Sequence, residues 1–99
     1  MKKFKNKKYR KKFGACMGLS EIDLDVAKPS KISIYELSEE LCKAKGVKSV
    51  EITVTAIDME VERLKVTVKG KDIRVKDLEK IIDEFGASIQ SIDRVVYEK

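Results

Sequence analysis

The chain has 99 residues and a mass of 11.3 kDa, the size of one small domain. Lys and Arg number 22 against 17 Asp and Glu, a net charge of +5, and 42% of the residues are hydrophobic, enough for a core. The absence of His excludes imidazole catalysis and His-ligated metals, and two Cys far apart exclude a zinc ribbon or disulfide scaffold. No apolar run approaches the roughly 18 residues of a membrane span, so no membrane partner is expected.

Charge is unevenly placed. Residues 1–13 hold eight basic side chains and no acid, which leaves a slight acidic excess in residues 14–99. Such like-charge density resists burial, so residues 1–16 are expected to be a disordered basic extension and residues 17–99 the folded domain. No apolar stretch of a secretory signal follows the cations, so the expected location is cytoplasmic, with Cys16 and Cys42 as free thiols. Asn6 and Gln90 are the only side-chain amides. With the high Lys and Glu content, this predicts a heat-adapted, thermophilic source.

The folded part is read in chain order. Glu21-Ile-Asp-Leu-Asp-Val26 alternates strictly, with Ile22, Leu24 and Val26 on one side, which predicts a half-buried strand ended by Pro29. Ser33 and Glu36 have capping-box spacing, flanked by Ile32 and Leu37 at staple positions. Ile34, Leu37, Leu41 and Ala44 form the stripe of a first helix, with Lys43 and Lys45 in its last turn and Gly46 as its left-handed cap. Val50, Ile52 and Val54 begin the next strand, after which Ile57, Met59 and Val61 carry the apolar role on the other parity. Two readings stand: a bulge shifts the register, or the strand outruns its core and shows an apolar strip on its far face. Leu64, Val66 and Val68 return, with Lys65, Thr67 and Lys69 outward. The hairpin turn, placed near Glu60–Arg63, lacks Gly and Asn, so its type stays open. Leu78, Ile81, Ile82 and Phe85 mark a second helix that starts between Asp72 and Val75 and is capped by Gly86. Ile89, Ile92, Val95 and Val96 form a last strand whose irregular spacing predicts a kink.

The order βαββαβ predicts an α+β fold, the ferredoxin-like sandwich: a four-stranded antiparallel sheet with two helices on one face.

Three segments carry a family resemblance: Leu24-Asp-Val-Ala-Lys-Pro29, Val50-Glu-Ile-Thr-Val54 with Asp58 downstream, and above all Gly86-Ala-Ser-Ile-Gln-Ser-Ile-Asp-Arg-Val-Val96. Together they resemble the archaeal domain of unknown function 211 family, over about residues 18–97. The resemblance implies a ferredoxin-like fold and assembly into symmetric oligomers, with no established activity. Gln90 stands where the family's closing motif is associated with His, and the basic extension lies outside the resemblance.

Residue chemistry then tests what this fold can do, since fold alone licenses no activity. Cu(I) transfer needs two adjacent thiols; Cys16 and Cys42 are isolated, and Cys42 reads as a half-buried core residue. A phosphate cradle after the first strand needs Gly and Arg; Ala27-Lys-Pro-Ser-Lys31 has neither, leaving Lys28 and Lys31 as solvated lysines or a weak anion site. Base stacking on the sheet needs aromatics on its central strands, and none are there. No nucleophile–base pair is evident, so the chain is read as a non-enzyme.

Three constellations remain. Lys7, Lys8, Tyr9, Arg10, Lys11 and Lys12 can contact polyanions, nucleic acid included, without sequence preference. Asp23 and Asp25 on the first strand, and Asp58, Glu60 and Glu62 at the hairpin, read either as ion-paired surface carboxylates, with Lys65 and Lys69 opposite, or as oxygen ligands for Ca²⁺ or a similar hard divalent cation. Ile57, Met59 and Val61 are the candidate subunit interface on an exposed edge strand. The favoured reading is a non-catalytic, homo-oligomeric and regulatory binding module. It takes a small ligand or a divalent cation at the acidic sheet face or subunit boundary. The alternative is a nucleic-acid-associated protein acting through its basic segment.

Overall fold

Strict alternation on the central strand organises the whole sandwich. The computed structural model describes residues 18–99; the segment 1–16, with Lys7, Lys8, Tyr9, Arg10, Lys11 and Lys12, lies outside the described residues. Elements follow as β1 (Gly18–Pro29), α1 (Ile34–Cys42), β2 (Val47–Ile57), β3 (Val61–Gly70), α2 (Val75–Glu84) and β4 (Ser88–Glu98). The sheet has four strands in the order β2-β3-β1-β4, every neighbour antiparallel, which is the ferredoxin-like arrangement expected. Ile22, Leu24 and Val26 of β1 and Leu64, Val66 and Val68 of β3 form a buried apolar floor. Leu37 and Leu41 of α1 and Leu78 and Ile82 of α2 close over that floor in one core. No helix among the described residues is long and apolar enough to cross a membrane.

The helix ends differ in detail from expectation. Ser33 Oγ accepts from the Tyr35 N–H at 3.0 Å, one residue earlier than a capping box requires. α1 stops at Cys42, so Lys43 is its C-cap, Lys45 and Gly46 lie beyond it, and Lys43 pairs with Glu40 at 2.8 Å. Cys42 is exposed, not half-buried in the core. Gly46 keeps a left-handed φ of 86°, but its role is a junction: Lys71 N–H donates to its carbonyl at 2.8 Å, and a Cβ on Gly46 would meet the Lys71 carbonyl. Gly86, at φ 76°, is a true helix cap. Gly86 N–H donates to Asp83 O at 2.9 Å and Ala87 N–H to Ile82 O at 3.1 Å, the Schellman pattern.

Both irregular strands have a physical cause. A register shift between Val54 and Ala56 leaves Thr55 as the extra residue and brings Ile57 opposite Glu62, on the helix side. The bulge reading therefore holds, and the three hairpin hydrophobics do not share one face: Val61 lies opposite Pro29 and Met59 sits in the turn. That turn is Asp58–Val61, earlier than expected, closed by Asp58 N–H to Val61 O at 2.9 Å. Among the described residues only Asp72 is a positive-φ non-glycine, so the turn is not of the primed types. Bonds from the loop after β1 hold it instead: Ser30 N–H to Glu60 O at 2.9 Å and Ser30 Oγ to Asp58 O at 3.4 Å. On β4 three register shifts against β1 produce the expected irregularity.

The two left-handed glycines should separate conformational strain from steric contact. A Cβ at Gly86 finds only Pro29 Cγ, at 3.8 Å, whereas one at Gly46 meets backbone. Gly86→Ala should lower unfolding free energy by about 1 kcal/mol, the left-handed penalty alone. Gly46→Ala should cost about 2–3 kcal/mol, both measured by urea unfolding.

Candidate functional site

The outward row of β1 is a set of carboxylates already answered by neighbours. Arg94 of β4 donates to Glu21 Oε2 at 2.6 Å and lies 3.8 Å from Asp23 Oδ2. Thr67 Oγ1 donates to Asp23 Oδ1 at 2.9 Å, and Arg63 of β3 donates to Asp25 Oδ2 at 2.7 Å. The hydrogen bond and charge of Asp25 hold the Arg63 guanidinium above its ordinary pKa, and Glu21 does the same for Arg94. Lys69 and Lys65 do stand opposite Glu21 and Asp25 in register, yet the ion pairs run diagonally to the arginines. A guanidinium reaches sideways and offers several donors in one plane, which a lysine lacks.

At the hairpin the carboxylates are also occupied or apart. Asp58 Oδ1 accepts from the Met59 N–H at 2.8 Å, Glu62 pairs with Lys28, and Glu60 is exposed. Among the described residues no three His, Cys, Asp or Glu side chains are grouped to hold a metal ion. Asp23, Asp25, Asp58, Glu60 and Glu62 are thus distributed over two places and not gathered into one ligand set.

Lys28 is the functional-site candidate whose placement changes most. It is 2% exposed, not a solvated lysine of the loop after β1. Its Nζ donates to Glu62 Oε1 at 2.7 Å and to Pro29 O at 3.0 Å. Parity carried the signal: Lys28 continues the inward row Ile22, Leu24, Val26, and Glu62 continues the inward row of β3 directly opposite. The pair joins the loop after β1 to the hairpin, and Lys31 alone of the two lysines is exposed as a solvated side chain.

Sequence reasoning also missed the far edge of the sheet. Ile92, Val95 and Tyr97 of β4 are 51%, 53% and 59% exposed although they pair with Leu24, Ile22 and Leu19 on the helix side. At the opposite edge Ile57 and Met59 are 76% and 90% exposed.

The two kinds of ion pair should differ sharply in energy. Lys28→Ala strands Glu62 and the Pro29 carbonyl, so it should lower stability by about 3 kcal/mol, with Lys28→Met plus Glu62→Gln recovering at least half. A double-mutant cycle on the solvent-facing pair Asp25 and Arg63 should return only about 0.5 kcal/mol. Urea unfolding curves read both.

The sequence profile of domain of unknown function 211, described as "Uncharacterized ArCR", matches residues 20–99. The chain is also 37% identical over 82 residues to the uncharacterized protein MJ0319 of Methanocaldococcus jannaschii, covering 83% of this chain and 84% of that protein. The match begins at Ser20, just before the outward carboxylates of β1, and runs through β4, so every ion pair described above falls inside it. The chain belongs to the domain of unknown function 211 family.

Proposed function

We propose that this protein is a non-catalytic, homo-oligomeric binding module that assembles through the two edges of its sheet. One observation carries the reading. Of seven exposed large hydrophobics among the described residues, six fall in two patches: Ile57, Met59 and Val61 at the β2–β3 hairpin, and Ile92, Val95 and Tyr97 on the edge strand β4. Both edges also present unpaired strand backbone, which a second copy covers at little cost. The hairpin is pinned from within by Ser30 and Lys28, so its apolar tip is held in place before contact, which reduces the ordering penalty of association.

Two different patches at opposite edges favour a head-to-tail contact over a self-complementary one. The boundary is then the place for a small ligand or a divalent cation, because the carboxylates of the outward β1 row already hold Arg63, Arg94 and Thr67. Asp58 and Glu60, beside Met59, are the carboxylates that such a contact brings to a neighbour.

Light scattering coupled to size exclusion on the full chain tests the assembly. Wild type should run as a defined oligomer. Met59→Glu on one edge and Val95→Glu on the other should each weaken association by about 30-fold with circular dichroism unchanged. A wild-type monomer at about 100 µM would refute the reading, at the concentration where even weak contacts register.

A further inference from the structure

Three glycines gather two basic turns and the start of β1 at one end of the sheet. A Cβ on Gly70 would meet the Gly46 carbonyl, and one on Gly18 would lie 2.6 Å from Asp72 Oδ1. Ile73 N–H donates to Leu19 O at 2.9 Å, locking the turn after β3 onto β1. Residues 43–48, from the end of α1 into the start of β2, carry three lysines and no acid. Residues 69–76 carry Lys69, Lys71, Arg74 and Lys76 against Asp72 alone. Lys45, Lys48, Lys71 and Arg74 are exposed, and among the described residues none of them is in an ion pair. A cleft of about 550 Å³ opens there, lined by Lys48, Lys71 and Lys99, with the carboxylates of Asp72 and Glu98 in the same wall.

The other end of the sheet has the opposite sign. Asp58 and Glu60 of the hairpin and Asp83 and Glu84 at the end of α2 are all exposed there. Folding therefore sorts a slightly acidic stretch into a basic pole and an acidic pole. The eight cations of residues 1–13 precede Gly18 in the sequence and lie outside the described residues.

We propose that this pole of the folded domain binds the phosphate backbone of duplex nucleic acid, with Lys45, Lys48, Lys71 and Arg74 as contacts. Closely spaced cations displace condensed counterions from a duplex, and that release drives sequence-independent binding. Residues 43–48 and 69–76 contain no aromatic side chain, and Tyr97 of β4, opposite Leu19, is the single exposed aromatic at this end among the described residues, so the run of rings that stacks a single strand is missing. Their apolar residues, Ala44, Val47, Ile73 and Val75, are all at least partly buried, so nothing is offered for insertion into a bilayer. The inference uses other side chains than the assembly reading, although Tyr97 of the β4 patch stands next to Glu98 and Lys99 at the same cleft.

Fluorescence anisotropy of a labelled DNA duplex of about 20 base pairs, titrated with the full chain between about 50 and 200 mM salt, tests it. Replacing Lys45, Lys48 and Lys71 by Ala should weaken binding by about 10-fold and lower the slope of log K against log salt by about 3. Replacing Lys31, Lys65 and Lys80 by Ala removes the same charge elsewhere and should change neither by more than a third of that effect. A full chain with Lys7, Lys8, Arg10, Lys11 and Lys12 changed to Ser should retain binding that still depends on Lys48 and Lys71. No duplex binding by the full chain, equal effects of the two triple variants, or complete loss on neutralising the basic segment with the pole variant unchanged would each overturn the proposal. So would binding to phosphatidylserine vesicles with the duplex left unbound.

Discussion

The alternation of β1 is the constraint on which the rest of the molecule depends. β1 is hydrogen-bonded on both sides, to β3 and to β4, so its parity assigns each neighbour's side chains to a face. A slip of one residue would drive Asp23 and Asp25 into the core and Ile22 and Leu24 into water, a penalty far larger than domain stability. Asp23 is buried even in the native register, where Thr67 and Arg94 flank it from the two adjacent strands. The outward carboxylates thus reward the one register that the apolar row selects.

The same parity accounts for Lys28. The inward row of β1 outlasts the cover supplied by the helices, and at its end the chain must place a side chain that points inward yet carries charge. A lone ammonium there would be expensive to desolvate. Glu62 stands directly opposite on β3 and is itself partly solvated, and the Pro29 carbonyl accepts a second bond. No described buried side-chain polar atom lacks a partner. Packing at that end gives way to a hydrogen-bonded clamp, and the clamp fixes the hairpin that exposes Met59.

Much of the fold was legible because it rests on local periodicity: two apolar stripes at helical spacing, three strands at period two, and Gly86 at a helix end. The misplacements share a cause. The β2–β3 turn moved to Asp58–Val61 because Ser30, far away in sequence, stabilises a turn that its own residues do not favour. α1 ended early because Gly46 was committed to a contact with Lys71 and Gly70, not to the helix. Arg63 and Arg94 replaced Lys65 and Lys69 as ion partners because pairing followed diagonal reach, which spacing along one strand does not encode. The exposed row on β4 was hidden for a similar reason. Ile92 and Val95 read as core by composition, and only the limited span of two helices over four strands leaves them uncovered.

The hairpin patch lies at the opposite end of the sheet from the basic pole, whereas the β4 patch reaches that pole at Tyr97, and this decides whether assembly and polyanion binding compete. β3 runs from the hairpin at Val61 to the basic pole at Gly70. Ten residues of extended strand span about 30 Å. Screening at physiological salt acts over about 8 Å, so Asp58 and Glu60 exert little field on Lys48 or Lys71. A neighbour seated on the hairpin therefore neither covers nor neutralises the cations. On the two readings proposed, an oligomer whose β4 contact centres on Ile92 and Val95 leaves the cations of each copy free and gains phosphate contacts with its copies. Joining several weak poles raises the effective concentration at each, so modest affinity per domain becomes tight binding by the assembly without any new contact.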